Sequence, residues 1–100
     1  MVIKCKINGI IHMLDVLMSD TAKQQGLKRY PQLDNNKGVI FVYDRDDMSK
    51  YDFSEIGYKC RILFLDSNFK TIHQAKTTSH QKELVSCPES FRYVIEVGEK

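Results

Sequence analysis

The sequence predicts an α+β fold that is mainly antiparallel β, a rolled sheet or partial barrel with one short helix. Three observations predict it: an Asn-Gly pair between two strand-like stretches, two nearly uninterrupted apolar runs, and a late stretch with strand periodicity. One hundred residues are the size of one domain. We therefore expect a single domain over residues 1–100.

An N-terminal hairpin is predicted by the pattern of "VIKCKINGIIHMLDVL". Residues 2–7 alternate between two faces, as in a half-buried strand. Asn8 and Gly9 follow at once, and this pair favours the left-handed conformations of a type I′ turn. The sequence therefore pairs strand 2–7 with strand 10–17.

A short helix is predicted after the hairpin, in "SDTAKQQGLKRY". Ser19 or Asp20 can cap it, because a side-chain oxygen there accepts from unpaired amides of the first turn. Gly26 can end it in a left-handed conformation, and Pro31 excludes its continuation. The helix is thus limited to about two turns.

Three later stretches predict the central strands. In "GVIFVYDR" at 38–45, residues 39–43 are all apolar or aromatic, as expected for a strand covered on both faces. "YKCRILFLD" at 58–66 predicts a second strand. "FRYVIEV" at 91–97 alternates and predicts an amphipathic strand, with Glu96 on its polar face. The predicted centre of the core includes Phe41, Ile62, Phe64, Val94 and Ile95.

Charge and targeting signals exclude several classes of function. The net charge of +2 comes from interspersed signs and forms no basic stripe, so the sequence does not favour nucleic acid as a partner. No basic stretch leads into an apolar run with a cleavage site, and no run approaches a membrane span. We predict no signal peptide and no membrane partner, with a location in the cytoplasm or in a virion.

Catalytic and metal signatures are weak in this chain. Cys60 or Cys87 with His73 or His80 offers a nucleophile and a base, yet no elbow motif positions either cysteine. The three cysteines are widely spaced, which favours reduced, partly buried thiols. The acidic stretch at 44–47 lacks the later Gly and Glu of a calcium loop. We therefore predict no enzyme activity, no metal and no cofactor.

Several of these stretches together resemble a known family. "GLKR" at 26–29, "GVIFVYDR", "CRILFLDSNFKTI" and "FRYVIEV" follow the order of the motifs in domain of unknown function 192, a bacterial and archaeal family. Those motifs are Gly-Leu-Met, Gly-Met-Leu-Phe-Val-Phe, Ile-Pro-Leu-Asp-Ile-Leu-Phe-Ile-Asp and Tyr-Val-Leu-Glu. The resemblance covers residues 10–97. It implies a compact, mainly antiparallel β structure, rolled into a partial barrel with a small helical element.

The chain departs from the family pattern in two places. Where the family has Phe-Trp-Met-Lys-Asn-Thr, residues 51–56 are Tyr-Asp-Phe-Ser-Glu-Ile, and Lys-Cys-Arg at 59–61 replaces Pro-Leu-Asp. The family also continues beyond its Tyr-Val-Leu-Glu strand with a helix and a last strand, whereas this sequence ends at Lys100. The resemblance therefore implies an uncovered sheet edge or apolar face. It favours a protein partner that binds through the edge at strand 91–97 or through the aromatic residues at 51–58.

Two classes of function remain open from the sequence. The first is a non-catalytic protein-binding or assembly module that joins copies of itself or a larger assembly such as a phage particle. Its predicted partner-binding residues are Tyr51, Phe53, Tyr58, Phe91 and Tyr93. The alternative is a small-ligand-binding protein or residual enzyme that uses the 51–61 segment. Its predicted polar contacts are Asp52, Glu55 and Arg61, although charges of this kind are more often solvated residues on a strand face.

Overall fold

The protein is a six-stranded mixed sheet with one short helix, in a computed structural model that describes residues 1–33 and 36–99. The order of strands in the sheet is β1-β2-β3-β6-β4-β5, and the sheet formed by the described residues is open. The stretch "YPQLDNNK" at 30–37, which the sequence predicts to be turn material, lies partly outside the described residues, and Lys100 lies wholly outside them. The strands are β1 (Val2–Ile7), β2 (Ile10–Leu17), β3 (Lys37–Asp47), β4 (Cys60–Leu65), β5 (Thr71–Thr77) and β6 (Phe91–Gly98).

The predicted N-terminal hairpin is present. β1 and β2 pair antiparallel, with Ile7 opposite Ile10 at the turn. Asn8 and Gly9 have φ angles of 50° and 82°, the left-handed conformations that a type I′ turn requires.

The predicted helix connects β2 to β3. Helix α1 spans Asp20–Gln25, and the Ser19 hydroxyl accepts from the backbone N–H of Ala22 as its N-cap. Gly26 ends the helix with a φ of 44° and starts a 3-10 helix over Gly26–Arg29. Leu27 is buried and anchors this turn to the sheet. Because β2 and β3 are parallel, the chain needs such a crossover between them.

β6 lies in the interior of the sheet, between β3 and β4. It pairs antiparallel with both neighbours, so that Ile95 lies opposite Ile40 on one side and Leu63 on the other. The prediction that strand 91–97 forms an uncovered edge is therefore wrong. The strands at the two ends of the sheet are β1 and β5.

The core is divided between the two faces of the sheet. Alternate residues of β3 point to opposite faces, so Val39 and Phe41 join one cluster while Ile40 joins the other. The predicted core centre is confirmed, since all its members are buried: Phe41, Ile62, Phe64, Val94 and Ile95. In the part of the chain that the structure describes, no helix is long and apolar enough to cross a membrane.

Candidate functional site: a cleft beside the short helix

A cleft of about 420 Å³ lies between the helical crossover and the sheet. We call it the helix cleft. One wall is α1 with the start of the 3-10 helix, the second is β3, and the third is the loop segment 49–56. Residues at its apolar inner surface are Leu27, Phe41, Tyr51, Phe53 and Ile56, and Glu96 of β6 lies at its floor.

The wall formed by segment 49–56 is held in place from behind by the loop that precedes β6. Tyr51 exchanges backbone hydrogen bonds with Val85, at 2.8 and 2.9 Å. The backbone N–H of His80 donates to Ile56 O at 2.8 Å, and its ring Nδ1 lies 2.9 Å from Ser54 O. These contacts fix a segment that has no regular strand or helix of its own.

Two tyrosines meet at the inner wall. The hydroxyl oxygens of Tyr43 and Tyr51 are 2.5 Å apart, so one donates to the other. Burial raises the pKa of Tyr51 above its ordinary range, and it also raises the pKa of Tyr43. Both phenols are therefore neutral hydrogen-bonding groups at physiological pH.

The Glu96 carboxyl is the most unusual group of the cleft. Its residue is 4% exposed, and burial raises the pKa of the carboxyl to about 8. Among the described residues it has no hydrogen bond and no ion pair. Fully enclosed side-chain oxygens without a partner do not occur in the described part of the chain, so this carboxyl reaches the space of the cleft that it lines.

Gly26 keeps the approach to Glu96 free of side-chain atoms. A Cβ atom at this position would lie 3.2 Å from Phe41 Cζ and 3.9 Å from Glu96 Oε1. Any larger side chain pointing that way would enter the inner cleft. The left-handed φ of Gly26 also disfavours any other residue there.

Positive charge is found in the outer part of the cleft. The Lys23 ammonium lies 4.1 Å from the centre of the Tyr43 ring, as in a cation-π contact. Lys28 Nζ lies 2.6 Å from Glu55 Oε2, and this pair joins the 3-10 helix to segment 49–56. Both partners are well exposed, so their contribution to stability is small.

The five residues predicted to bind a partner are distributed over the core and both faces of the sheet. Tyr51, Phe53 and Phe91 are buried in the protein's own core, while Tyr58 and Tyr93 are half-buried. The Tyr58 hydroxyl donates to Tyr30 O at 3.1 Å, and the Tyr93 ring packs against Phe69 on the opposite face. Their role in binding a protein stays a prediction, which the burial of three of the five does not favour.

The three polar residues of the ligand-binding alternative do not form one site. Asp52 lines the helix cleft, and Glu55 lies at its mouth in the pair with Lys28. Arg61 lies elsewhere, in a bidentate pair with Glu99 at 3.0 and 3.1 Å. Of the 51–61 segment, therefore, the first half lines the cleft.

Of the four cysteine and histidine side chains that offered a nucleophile and a base, Cys87 is buried in the core and the other three have contacts elsewhere. Cys60 Sγ lies 3.7 Å from Tyr58 O, and burial raises its pKa to about 12. His80 contacts Ser54, and the ring of His73 packs near Phe64. Asp46 of the acidic stretch pairs with Arg92. Within residues 1–33 and 36–99, no three acidic, histidine or cysteine side chains are placed to hold a metal ion.

Glu96 is the functional candidate that sequence reasoning missed. The alternation in "FRYVIEV" predicted an amphipathic strand, with Glu96 on its polar face. The strand is instead buried on both faces from Val94 to Val97, because β6 is central in the sheet. The signal available in the sequence was an acidic residue between two apolar residues, Ile95 and Val97. It lies in the stretch that resembles Tyr-Val-Leu-Glu.

Comparison with known proteins identifies the fold and the family. The family model for domain of unknown function 192, described as an uncharacterized ACR, matches residues 3–100. A crystal structure of a candidate transcription regulator from Sinorhizobium meliloti superposes with a TM-score of 0.80 at 18% identity, over 97% of this chain and 78% of that one. A protein of unknown function from Novosphingobium aromaticivorans superposes with a TM-score of 0.78 at 13% identity, over 98% of this chain and 81% of that one. No curated protein matches the chain significantly.

Proposed function

The chain belongs to the domain of unknown function 192 family, and we propose that it binds a small organic ligand in the helix cleft. The observation that carries this proposal is the buried carboxyl of Glu96, which faces the cleft without a partner. Buried ionisable groups are normally paired or hydrogen-bonded, because taking them out of water costs free energy. An unpaired one at the floor of a cleft is typical of a group kept for a ligand.

The shape and lining of the cleft support the same proposal. Its volume of about 420 Å³ is in the range of small-molecule sites. Such sites combine apolar walls with a few polar groups that orient the ligand. Here Phe41 and Phe53 contribute apolar surface, while Glu96 and the Tyr51 hydroxyl contribute the polar contacts.

We describe the protein as a binding protein and not as an enzyme. Glu96 lines the cleft together with Tyr43 and Tyr51, and no described cysteine or histidine lines it to serve as a nucleophile or a base. The absence of catalysis stays a prediction. A turnover of any compound that binds in the cleft would contradict it.

A screen by two-dimensional NMR tests the proposal. A set of fragments with cationic, anionic and neutral heads is added to ¹⁵N-labelled protein. We expect binders to shift amide signals of α1, β3 and segment 49–56. Binders whose shifts fall elsewhere on the sheet, or a screen with no binder at all, would contradict the cleft as a ligand site.

A pair of tryptophan variants provides the matched control. Gln24 is exposed on α1 and lines the cleft, so Gln24→Trp should fill the mouth and weaken binding. Gln74 is exposed on β5, away from the cleft, so Gln74→Trp should leave binding unchanged. Equal effects of the two substitutions would contradict the placement of the ligand.

A protein-binding or assembly role is a second candidate, with a different observation in its favour. β1 ends the sheet, and the hairpin that it forms with β2 carries exposed aliphatic side chains at Val2, Ile10 and Ile11. An end strand can add a strand of another chain through its free backbone groups. The cytoplasmic or virion location and the phage-particle context belong to this candidate and stay predictions.

The mass of the protein in solution tests the second candidate. If β1 pairs with its copy, light scattering should show a concentration-dependent dimer. Lys4→Pro on β1 should abolish that dimer, because proline cannot donate in a strand ladder. A monomer at high concentration would contradict self-assembly through this edge.

A further inference from the structure

The ionisable groups that surround Glu96 are all neutral at physiological pH. The side chains whose pKa values are influenced by its charge are Tyr43 of β3, Tyr51 of segment 49–56, Tyr58 just before β4, and Cys60 at the start of β4. Burial raises the pKa of each of them. The inner cleft therefore supplies no positive charge that could balance an ionised Glu96.

The charged side chains stand at the mouth of the cleft and not at its floor. The basic ones are partly engaged: Lys23 lies over the Tyr43 ring, and Lys28 pairs with Glu55. Positive and negative charges alternate there, so the mouth repels neither a cation nor an anion strongly. The charged residues that line the mouth or lie beside it are Asp20, Lys23, Lys28, Asp47, Lys50, Asp52 and Glu55.

Aromatic rings form much of the wall above Glu96. Phe41 and Tyr51 pack edge to face with their centres 5.3 Å apart, and Tyr43 extends this wall outward. Ring faces attract ammonium groups, and Tyr43 already holds the Lys23 ammonium at 4.1 Å. A carboxyl at the end of an aromatic wall is a combination suited to an organic cation.

A bare metal ion fits the same place poorly. Hard cations need several oxygen ligands around them, and Glu96 brings one carboxyl. The described residues contain no cluster of three potential metal ligands. An organic ammonium needs fewer contacts, because its alkyl part can pack against Phe53 and Ile56.

The geometry points to a small organic ammonium ion as the ligand of the helix cleft, with its charged head on the Glu96 carboxylate and its apolar body along Phe41 and Tyr51. This inference rests on the proposed function and names the ligand class of the same site. Gly26 matters to it directly, because the absence of a side chain there leaves the carboxyl open to the ligand.

Binding of such a ligand should depend on pH, because Glu96 must release a proton to pair with it. Because burial raises the pKa of Glu96 to about 8, the carboxyl is mostly protonated at pH 6 and must lose its proton to pair with a cation. Affinity for an ammonium ion should therefore rise with pH up to about 8. A neutral ligand that accepts a hydrogen bond from the protonated carboxyl would show the opposite dependence.

The test uses n-butylammonium as the probe and n-butanol as its neutral counterpart. Each is titrated into ¹⁵N-labelled full-length protein at pH 6 and at pH 8, where the amine stays charged because alkylammonium pKa values are near 10. We expect n-butylammonium to shift the amides of Gly26, Phe41 and Tyr51, with at least tenfold tighter binding at pH 8. The butanol counterpart should bind more weakly at pH 8.

Two variants connect the effect to the carboxyl. Glu96→Gln keeps the shape and removes the charge, so n-butylammonium should lose its pH dependence and most of its affinity. Glu89→Gln removes an exposed carboxyl outside the cleft and should change nothing. Retained binding in the Glu96→Gln variant would overturn the inference.

The outcomes separate the ligand class from the site itself. If butanol or an anionic fragment binds in the cleft while n-butylammonium does not, the ammonium inference is wrong and the cleft remains a ligand site. If n-butylammonium binds in the cleft equally well at both pH values, the inference is also wrong. If no compound of any class shifts the amides of the cleft, the proposed function fails as well.

Discussion

The backbone of Gly38 lies against the backbone of Glu96. A Cβ atom at Gly38 would be 2.3 Å from the Glu96 carbonyl oxygen and 2.7 Å from Val97 Cγ1. Glycine at this position thus permits the close approach of β3 and β6, and that approach places Glu96 at the cleft floor.

Gly38→Ala should destabilise the protein for this reason. Overpacking against backbone cannot be relieved by a rotamer change, and such strain costs roughly 1–3 kcal/mol. Urea unfolding measures the loss. The control is Gly57→Ala, whose added Cβ would meet the His80 ring at 3.2 Å, a side chain that can move. Equal losses in the two variants would contradict the role of strand approach.

The buried carboxyl should make stability depend on pH. Glu96 has a raised pKa of about 8 in the folded protein, against about 4.3 in an unfolded chain. Between these values the folded state binds more protons than the unfolded state, so the free energy of unfolding falls as pH rises. The loss begins above the unfolded value and is complete above about pH 8.

Comparison of the wild type with Glu96→Gln isolates this effect. The wild type should lose up to about 1 kcal/mol per pH unit across that window relative to the variant. The difference is read from urea unfolding at several pH values. If the free energy of unfolding changes with pH in the same way for the two proteins, Glu96 ionises in the folded state as easily as in water.

The sequence predicted the local elements well because their signals are local. Asn8-Gly9 determines a turn by its own conformational preferences, and Ser19 with Gly26 bounds the helix in the same way. The apolar run at Val39–Tyr43 belongs to a strand whose first part is buried on both faces. Such features need no knowledge of the rest of the chain.

The site was harder to predict because it depends on the order of strands in the sheet. Whether Glu96 faces water is decided by the neighbours of β6, and the placement between β3 and β4 is a non-local property. The helix cleft likewise joins α1 to segment 49–56, far apart in sequence. The sequence named Tyr51, Asp52 and Phe53, and all three line the cleft. It grouped Asp52 with Arg61, which lies elsewhere, and it assigned Tyr51 and Phe53 to a protein partner.

The three cysteines should differ in reactivity toward a thiol reagent. Cys60 and Cys87 are buried, and Cys5 is half-buried on the β1 strand at the end of the sheet. Burial raises the pKa of Cys60 to about 12, which leaves almost no reactive thiolate. Under native conditions we expect Cys5 to react first, and the other two to react at the rate of unfolding.

Mass spectrometry after timed labelling follows each thiol separately. Cys5→Ser should remove the early phase and leave the slow phase unchanged. Fast labelling of Cys60 in the folded protein would contradict its burial in the core.

The hydroxyl pair of Tyr43 and Tyr51 should contribute to stability as a unit. Their oxygens are 2.5 Å apart, and Tyr51 is buried against Phe41 and Phe64, so its hydroxyl has little access to water. Tyr51→Phe and Tyr43→Phe should each cost about 1 kcal/mol, the usual net contribution of a hydrogen bond.

The double variant distinguishes a shared hydrogen bond from two separate effects. Once one hydroxyl is gone, removal of the other should cost less than it does in the wild type, because the hydrogen bond between the two is already lost. The coupling from a cycle of urea unfolding measurements should therefore approach the cost of either single substitution. If the costs of the two single substitutions simply add, each hydroxyl is satisfied by water. The inner cleft would then be more open to solvent than the buried Tyr51 ring indicates.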